Sequence, residues 1–362
     1  MTNVLDSGLT EIPTPRRKRI TRWHKVKRWF RNHRALSIIF AVVGVLLLIV
    51  LLWLLWLMSK LGDIQRFPLD LDDRPPSLAG TTILLAGIDD PERREDLFDM
   101  LESGEWEQGE FRSDAIMLLH INTDFRSAQL ISIPRDSYVN VEGYGKTKIN
   151  ASFSYGGPSL LTKAVEDLTK VRVDHVMVID FTHFADLADT LGGVKVNIPT
   201  GGTDPTGFTW EPGPVTLRGE SAVYYVRARY NLPRGDFDRV QRQQNFLRAV
   251  LNQVRSRRIL ANPFKISELV TELSDLVAVD ESFTPGKMRS LAISSRNLRP
   301  AVIRFATVPY TGTPTIDGAS VVTLDIRATR EMMGAMARDQ FEVWLANAGD
   351  GVDQLPDAAQ VD

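Results

Sequence analysis

TTILLAGIDD, residues 81–90, joins a short apolar run to two carboxylates. Residues 81–87 show no apolar–polar alternation, so the run reads as a strand covered on both faces. Two further strands follow at once. Arg112-Ser113-Asp114 leads into AIMLLHIN, a turn lies near Asp124, and SAQLISIP (127–134) ends in Pro134-Arg135-Asp136. Beyond them strands and helices alternate. Helical patterns cover 157–170, 182–193, 219–226, a long stretch from about Asp236, 263–277, 284–297 and 325–347, with strands at 174–181, 194–199 and 301–308. Such alternation predicts an α/β fold with a mixed central sheet flanked by helices. GYGKTKIN (143–150) and the Gly/Pro/Thr-rich stretch 200–217 read as loops. Residues 90–111 read as an acidic insertion with one short helix, either a surface loop or a lid. No internal repeat and no break divides residues 81–350, which form one expected domain.

Upstream, the composition changes sharply. Residues 1–34 carry ten Lys and Arg against Asp6 and Glu11, so the remainder of this chain of net charge -2 is acidic. Residues 35–58, ALSIIFAVVGVLLLIVLLWLLWLM, are uncharged and long enough to cross a hydrocarbon core of about 30 Å. A basic flank before the apolar run keeps the N-terminus inside, and Trp53 and Trp56 suit the outer interface. The expectation is a basic cytoplasmic tail (1–34), a single-pass transmembrane signal anchor (35–58), an extracytoplasmic tether (59–80) and a folded domain (81–350) outside the cell membrane, ending in an acidic tail (351–362). An acidic body is a poor nucleic-acid binder. The chain has no cysteine, which excludes disulfides, thiolate metal sites and a cysteine nucleophile within it. The five histidines, at 24, 33, 120, 175 and 183, show no metal-ligand spacing.

The densest chemistry lies in VRARYNLPRGDFDRVQRQQ, residues 226–244. On the helix that begins there, the apolar stripe is Val240, Leu247, Val250, Leu251 and Val254. At 100° per residue Asp236, Arg239 and Gln243 share that stripe, whereas Arg242 lies off it. Inward polar groups need partners. Guanidiniums around a helix N-terminus point to a phosphate or pyrophosphate, which arginine meets with two parallel hydrogen bonds. Asp89 follows the first strand and Asp114 opens the second. If these strands are antiparallel neighbours, the two carboxylates meet at one sheet end, where they suit Mg²⁺ shared with substrate phosphates. A capping or turn role is the ordinary alternative for either aspartate alone.

The ordered blocks LLAGID, RSDAIMLLHIN, LISIPRDSYV, GYGKTKINASFSYGGP, LGGVKVNIP, LRGESAVYYVRAR and RGDFDRVQRQQ resemble the LytR-CpsA-Psr family of bacterial cell-envelope enzymes over roughly residues 80–255. The resemblance implies a phosphotransferase that moves a glycopolymer from a polyprenyl-pyrophosphate carrier to peptidoglycan as a phosphodiester. It implies a Mg²⁺ and pyrophosphate pair at Asp89 and Asp114. Arg112, Arg135, Arg227, Arg229, Arg239 and Gln243 would bind the pyrophosphate, and Asp236 would orient the arginines. Asp89, Asp114, Arg135 and Arg239 are the expected catalytic set. The stripe Val240, Leu247, Val250, Leu251 and Val254 is the expected lipid groove. Two other readings remain: a non-catalytic polyprenyl-phosphate or glycan binder, and a transcriptional attenuator. The expected topology opposes the second, since it holds the acidic body away from DNA.

Overall fold

The computed structural model describes residues 34–90, 93–181, 184–199, 201–203, 207–228, 232, 234–255, 259, 261–349, 352–357 and 360–361. The basic tail expected over residues 1–34 lies outside these except for Arg34. Helix α1 (Arg34–Asp63) is apolar and, at about 1.5 Å per residue, long enough to span a membrane. None of its apolar stretch 43–63 is buried, unlike the core helix of a soluble protein. The chain divides into two compact units, residues 1–56 and residues 57–362.

The second unit is built on a seven-stranded mixed sheet in the order β1-β12-β7-β2-β3-β4-β13. Its strands are β1 (Gln65–Phe67), β2 (Thr81–Ile88), β3 (Ser113–Ile121), β4 (Ala128–Ile133), β7 (His175–Asp180), β12 (Val277–Asp280) and β13 (Ile303–Thr307). β2 is central, antiparallel to β3 and parallel to β7. Its residues divide between two cores: Leu84, Ala86 and Ile88 face one, Ile83 and Leu85 the other. An apolar run without alternation therefore does mark a strand covered on both sides. Burying Leu84 or Ile88 stabilises the fold by about 1.5–3 kcal/mol each.

The first core is closed by α2 (Arg94–Ser103), α3 (Asn150–Thr169), α9 (Ile326–Met336) and α10 (Phe341–Ala348). Against the second lie α4 (Phe184–Thr190), α5 (Glu220–Arg227), α6 (Asp236–Val254), α7 (Pro263–Leu276) and α8 (Pro285–Ser294), with the ladder of β8 (Val194–Ile198) and β11 (Gly213–Leu217). Small antiparallel ladders complete the unit. They are β5 (Tyr138–Val141) with β6 (Gly145–Lys148), β9 (Gly202–Thr203) with β10 (Thr209–Trp210), β14 (Tyr310–Gly312) with β17 (Thr323–Leu324), and β15 (Thr315–Ile316) with β16 (Ala319–Ser320).

Several expectations change. Residues 145–148 are not loop but the return strand of a hairpin with β5, and 213–217 are strand as well. Helix α3 begins at Asn150, ahead of residue 157, and the non-helical pair Gly156-Gly157 kinks it. The expected closing helix 325–347 is two helices, broken around Asp339 at φ 58. β12 was hidden because VAVD directly follows α7 with no turn residue between them. The segment read as a tether supplies β1, and its Arg74 forms an ion pair with the buried Glu166 at 2.7 Å. Three residues are too few to show a period. The final residues run antiparallel along β13: Ala306 pairs with Gln354, and Thr307 N–H donates to the Asp353 carbonyl at 2.8 Å. They cover an edge that would otherwise present unpaired backbone groups.

Candidate active site

The antiparallel register of β2 and β3 brings Asp89 and Asp114 to one end of the sheet. Gly87 pairs with Ala115, but Ile88 pairs with Ser113, so Asp114 is an extra residue on β3. A bulge of this kind bends the strand and re-aims the side chain it carries. Asp114 keeps 19% exposure beside a fully buried Ser113. Gly87 is required where it stands: a Cβ there would lie 2.3 Å from the Phe181 ring.

Around these aspartates the arginines form ion pairs. Asp89 pairs with Arg227, the last residue of α5. Asp114 pairs with Arg135, which follows β4. The Arg135 Nε lies 3.7 Å from Asp236 and 3.9 Å from Asp136. Asp236, in the first turn of α6, receives Arg239 at 2.6 Å, and Arg239 also donates to the Asp114 carbonyl at 3.4 Å. Asp136 is held by Lys148 at 2.9 Å. Arg239 is only 2% exposed, while Asp236 keeps 27%. Acidic residues at the start of α6 suit the positive end of its dipole. The Gln243 side chain donates to the Val226 carbonyl at 3.4 Å and joins α6 to α5. Six elements, β2, β3, β4, β6, α5 and α6, thus deliver charge to one sheet end.

The LytR_cpsA_psr family profile matches residues 73–338, most of the chain and all of this arrangement. The chain belongs to that family. It is 31% identical over 377 residues to the cell wall biosynthesis protein LcpA of Corynebacterium glutamicum, covering 91% of this chain and 71% of the relative. It is 35% identical over 190 residues to the polyisoprenyl-teichoic acid–peptidoglycan teichoic acid transferase TagT of Bacillus subtilis, covering 50% and 55%. The crystal structure of Bacillus subtilis TagV superposes with a TM-score of 0.59 at 22% identity, over 74% of this chain and 99% of that one. That likeness shows the shared fold.

Within this LytR_cpsA_psr domain, Asp114, Arg135, Asp236 and Arg239 lie in one connected network, and the Asp89–Arg227 pair stands at the same sheet end. Arg112 is exposed beside the bulge, and Arg229 lies outside the described residues. Val240 and Val250 are buried; Leu247, Leu251 and Val254 are half-buried and pack on the second core. Arg242 corrects the helical-wheel reading. It is 4% exposed, with its guanidinium 5.6 Å from the Trp210 ring centroid and 5.4 Å from that of Tyr225. The first half of α6 is buried nearly all round, from Phe237 to Phe246, so no face of it is outward.

Two residues escaped the sequence reading. Lys148 sits in what looked like loop, and only the hairpin register with Tyr138 brings it to Asp136. Asp180, 2% exposed, ends β7 opposite Ile88, one residue from Asp89. A carboxylate closing an apolar strand beside two others is a signal that could have been used.

The donor set can be tested against Mg²⁺. Among the described residues no group of three or more His, Asp or Glu is arranged to hold a metal ion. Asp89 and Asp114 are two carboxylates at one sheet end, each also facing a guanidinium. That set fits an ion that draws most of its remaining ligands from substrate phosphate and water, as Mg²⁺ does. It does not fit an all-protein cage.

Proposed function

We propose that this protein is a membrane-anchored phosphotransferase of cell-wall assembly, which moves a glycopolymer from a polyprenyl-pyrophosphate carrier to peptidoglycan. The carrying observation is the network of aspartates and arginines at the end of β2 and β3, reached by Arg227, Arg135 and Arg239 from three other segments. The names of the relatives, a cell wall biosynthesis protein and a teichoic acid transferase, support the same reading. The apolar helix α1 supplies the anchor, with the basic tail inside and the domain outside.

The chemistry asks for positioning and charge stabilisation more than covalent participation. An acceptor hydroxyl attacks the phosphorus that carries the glycopolymer. The new phosphorus–oxygen bond forms as the bond to the lipid phosphate breaks; polyprenyl phosphate leaves, and the hydroxyl proton passes to it or to solvent. Arg135, Arg227 and Arg239 bind the pyrophosphate oxygens and face the charge that grows on them, already oriented by Asp114, Asp89 and Asp236. Arg112, Arg229 and Gln243 complete the phosphate-binding set. Asp89 and Asp114 are the residues that would hold Mg²⁺, which supplies neutralising charge to phosphate oxygens. The half-buried Leu247, Leu251 and Val254 offer the prenyl chain its apolar wall.

The test is transfer by the full chain in nanodiscs, given a defined lipid-linked donor and peptidoglycan fragments, with mass spectrometry of the products. The expected result is a phosphodiester-linked adduct and an equal amount of polyprenyl phosphate. Tight donor binding with no polyprenyl phosphate released, with or without Mg²⁺, would make the protein a binder and sink the transferase reading.

A further inference from the structure

Tyr144 is at the tip of the β5–β6 hairpin, 43% exposed, yet it is held on two sides. Its ring stacks on Tyr155 of α3 at 4.3 Å between centroids and 16° between planes. Its hydroxyl oxygen accepts a hydrogen bond of 2.7 Å from the Gln108 side-chain amide. The flanking Gly143 and Gly145, at φ 77 and 72, leave open space on either side of the ring's backbone. A lone exposed tyrosine means little. Fixing one costs side-chain entropy that burial does not return here, so a pinned and exposed ring points to a ligand.

The pins themselves are rigid. Tyr155 directly precedes the Gly156-Gly157 kink of α3. Trp106 fills the space beside Gly157, where a Cβ would lie 2.8 Å from its ring. Trp106 Nε1 donates to the Ser154 carbonyl at 3.2 Å, and Gly109 N–H donates to the same oxygen at 3.0 Å. Gln108 lies between these two anchors. Insertion, hairpin and helix therefore converge to hold one aromatic face toward solvent.

The hairpin joins this face to the phosphate-binding network. Val139 and Val141 turn into the first core, so their neighbours Tyr138, Asn140, Lys146 and Lys148 share the opposite face. Lys148, at the base, holds Asp136 of the network, and Lys146 and Asn140 are exposed midway. At about 3.4 Å per residue, the four-residue strands carry the tip roughly 13 Å from that base. An apolar platform with amide and ammonium groups along its approach matches a pyranose. The axial C–H groups of the sugar lie on the negative face of an aromatic ring, and its hydroxyls take the polar rim.

We infer that the solvent face of the β5–β6 hairpin, ending in the Tyr144–Tyr155 platform, is a saccharide subsite for the donor's glycan, a few sugar units out from its pyrophosphate. This rests on the donor-binding part of the proposed function and adds the place where the polymer is read. The donor's glycan is the occupant because the track starts at Lys148 and Asp136, next to Arg135 of the phosphate-binding set.

The experiment measures the affinity of the full chain in nanodiscs for two pyrophosphate lipids with the same prenyl chain, one carrying a single sugar and one several. Wild type should bind the longer donor more tightly. Tyr144→Ala should weaken that binding roughly five- to tenfold, the weight of one aromatic contact, and leave the single-sugar donor and the melting temperature unchanged. Tyr144→Phe keeps the ring and should lose less. Equal weakening of both donors, or of neither, overturns the subsite. So does a KM effect seen only for the peptidoglycan acceptor, or equal wild-type affinity for both donors. Failure of wild type to bind either donor overturns the proposed function as well, and is told apart by that control.

Discussion

Replacing Arg239 by lysine and by alanine separates its structural role from its chemical one. Arg239 is 2% exposed and spans Asp236 at 2.6 Å and the Asp114 carbonyl at 3.4 Å. Breaking a fully buried ion pair costs about 3–5 kcal/mol. Asp236, however, keeps 27% exposure, so water recovers part of that loss. Arg239→Ala should therefore cost about 2 kcal/mol. At roughly 2–4 °C per kcal/mol for a domain of this size, the melting temperature should fall by about 4–8 °C. Arg239→Lys retains the charge and most of the stem, and should melt within about 2 °C of wild type.

The rates should diverge from the melting curves. Lysine cannot present the planar two-donor fork to pyrophosphate. Losing one charge-stabilising donor reduces a rate by on the order of 10²–10³, about 2.7–4 kcal/mol in the transition state. Both variants should show such a loss in polyprenyl phosphate release at saturating Mg²⁺, although only alanine melts early. Full activity in Arg239→Lys would refute the phosphate-binding role. An alanine variant that melts like wild type would refute the buried ion pairing from which the 2 kcal/mol was drawn.

Asp114→Asn should keep the fold, since Asp114 is an extra residue at the strand end, and should abolish transfer; activity surviving both this change and exhaustive chelation would remove the metal role of Asp89 and Asp114. Arg242→Ala should lower the melting temperature by several degrees by removing the guanidinium from beside the Trp210 and Tyr225 rings, and unchanged melting would contradict its burial. Gly87→Ala should cost about 1–3 kcal/mol through overpacking against Phe181, read as a lowered urea midpoint. Burial lowers the His120 pKa despite the hydrogen bond and charge of Asp339 and the charge of Asp174. The unfolded state then binds the extra proton, so stability should fall as the pH drops below about 6.5. His120→Gln should flatten melting temperature against pH between 7.5 and 5.5, and an unchanged slope would assign the dependence elsewhere.

Much of the sheet could be read from the chain, because β2, β3 and β4 each announce themselves by an apolar run with charged residues at one end, after β2 and β4 and at the start of β3. Those charged residues come together at one end of the sheet. What could not be read depends on register and on neighbours. The bulge that aims Asp114 requires knowing that Ile88 faces Ser113. Lys148 reaches Asp136 only through a hairpin whose strands are too short to show a period. Arg242 failed for another reason. Helical-wheel reasoning assumes one face outward, and Trp210 and Tyr225 cover the face that the wheel left to solvent.

The insertion at 90–111 was read as surface loop or lid, and its packing decides what each part can do. Leu97 and Leu101 are 2% exposed and Phe98 is 9% exposed, all within the first core. Opening α2 as a flap would return these side chains to water at about 1.5–3 kcal/mol each. A helix with that penalty does not serve as a lid that cycles with turnover. The stretch after it is different. Residues 104–110 are anchored to α3 through Trp106 and Gly109, yet Gln108 remains exposed and reaches the hairpin tip. The helix therefore works as a foundation, and the seven residues beyond it carry whatever selectivity the insertion adds. Exchanging residues 104–110 for those of another family member should change donor preference with little change in melting temperature. Replacing α2 should unfold the domain, and a folded, active protein lacking α2 would show that this division is wrong.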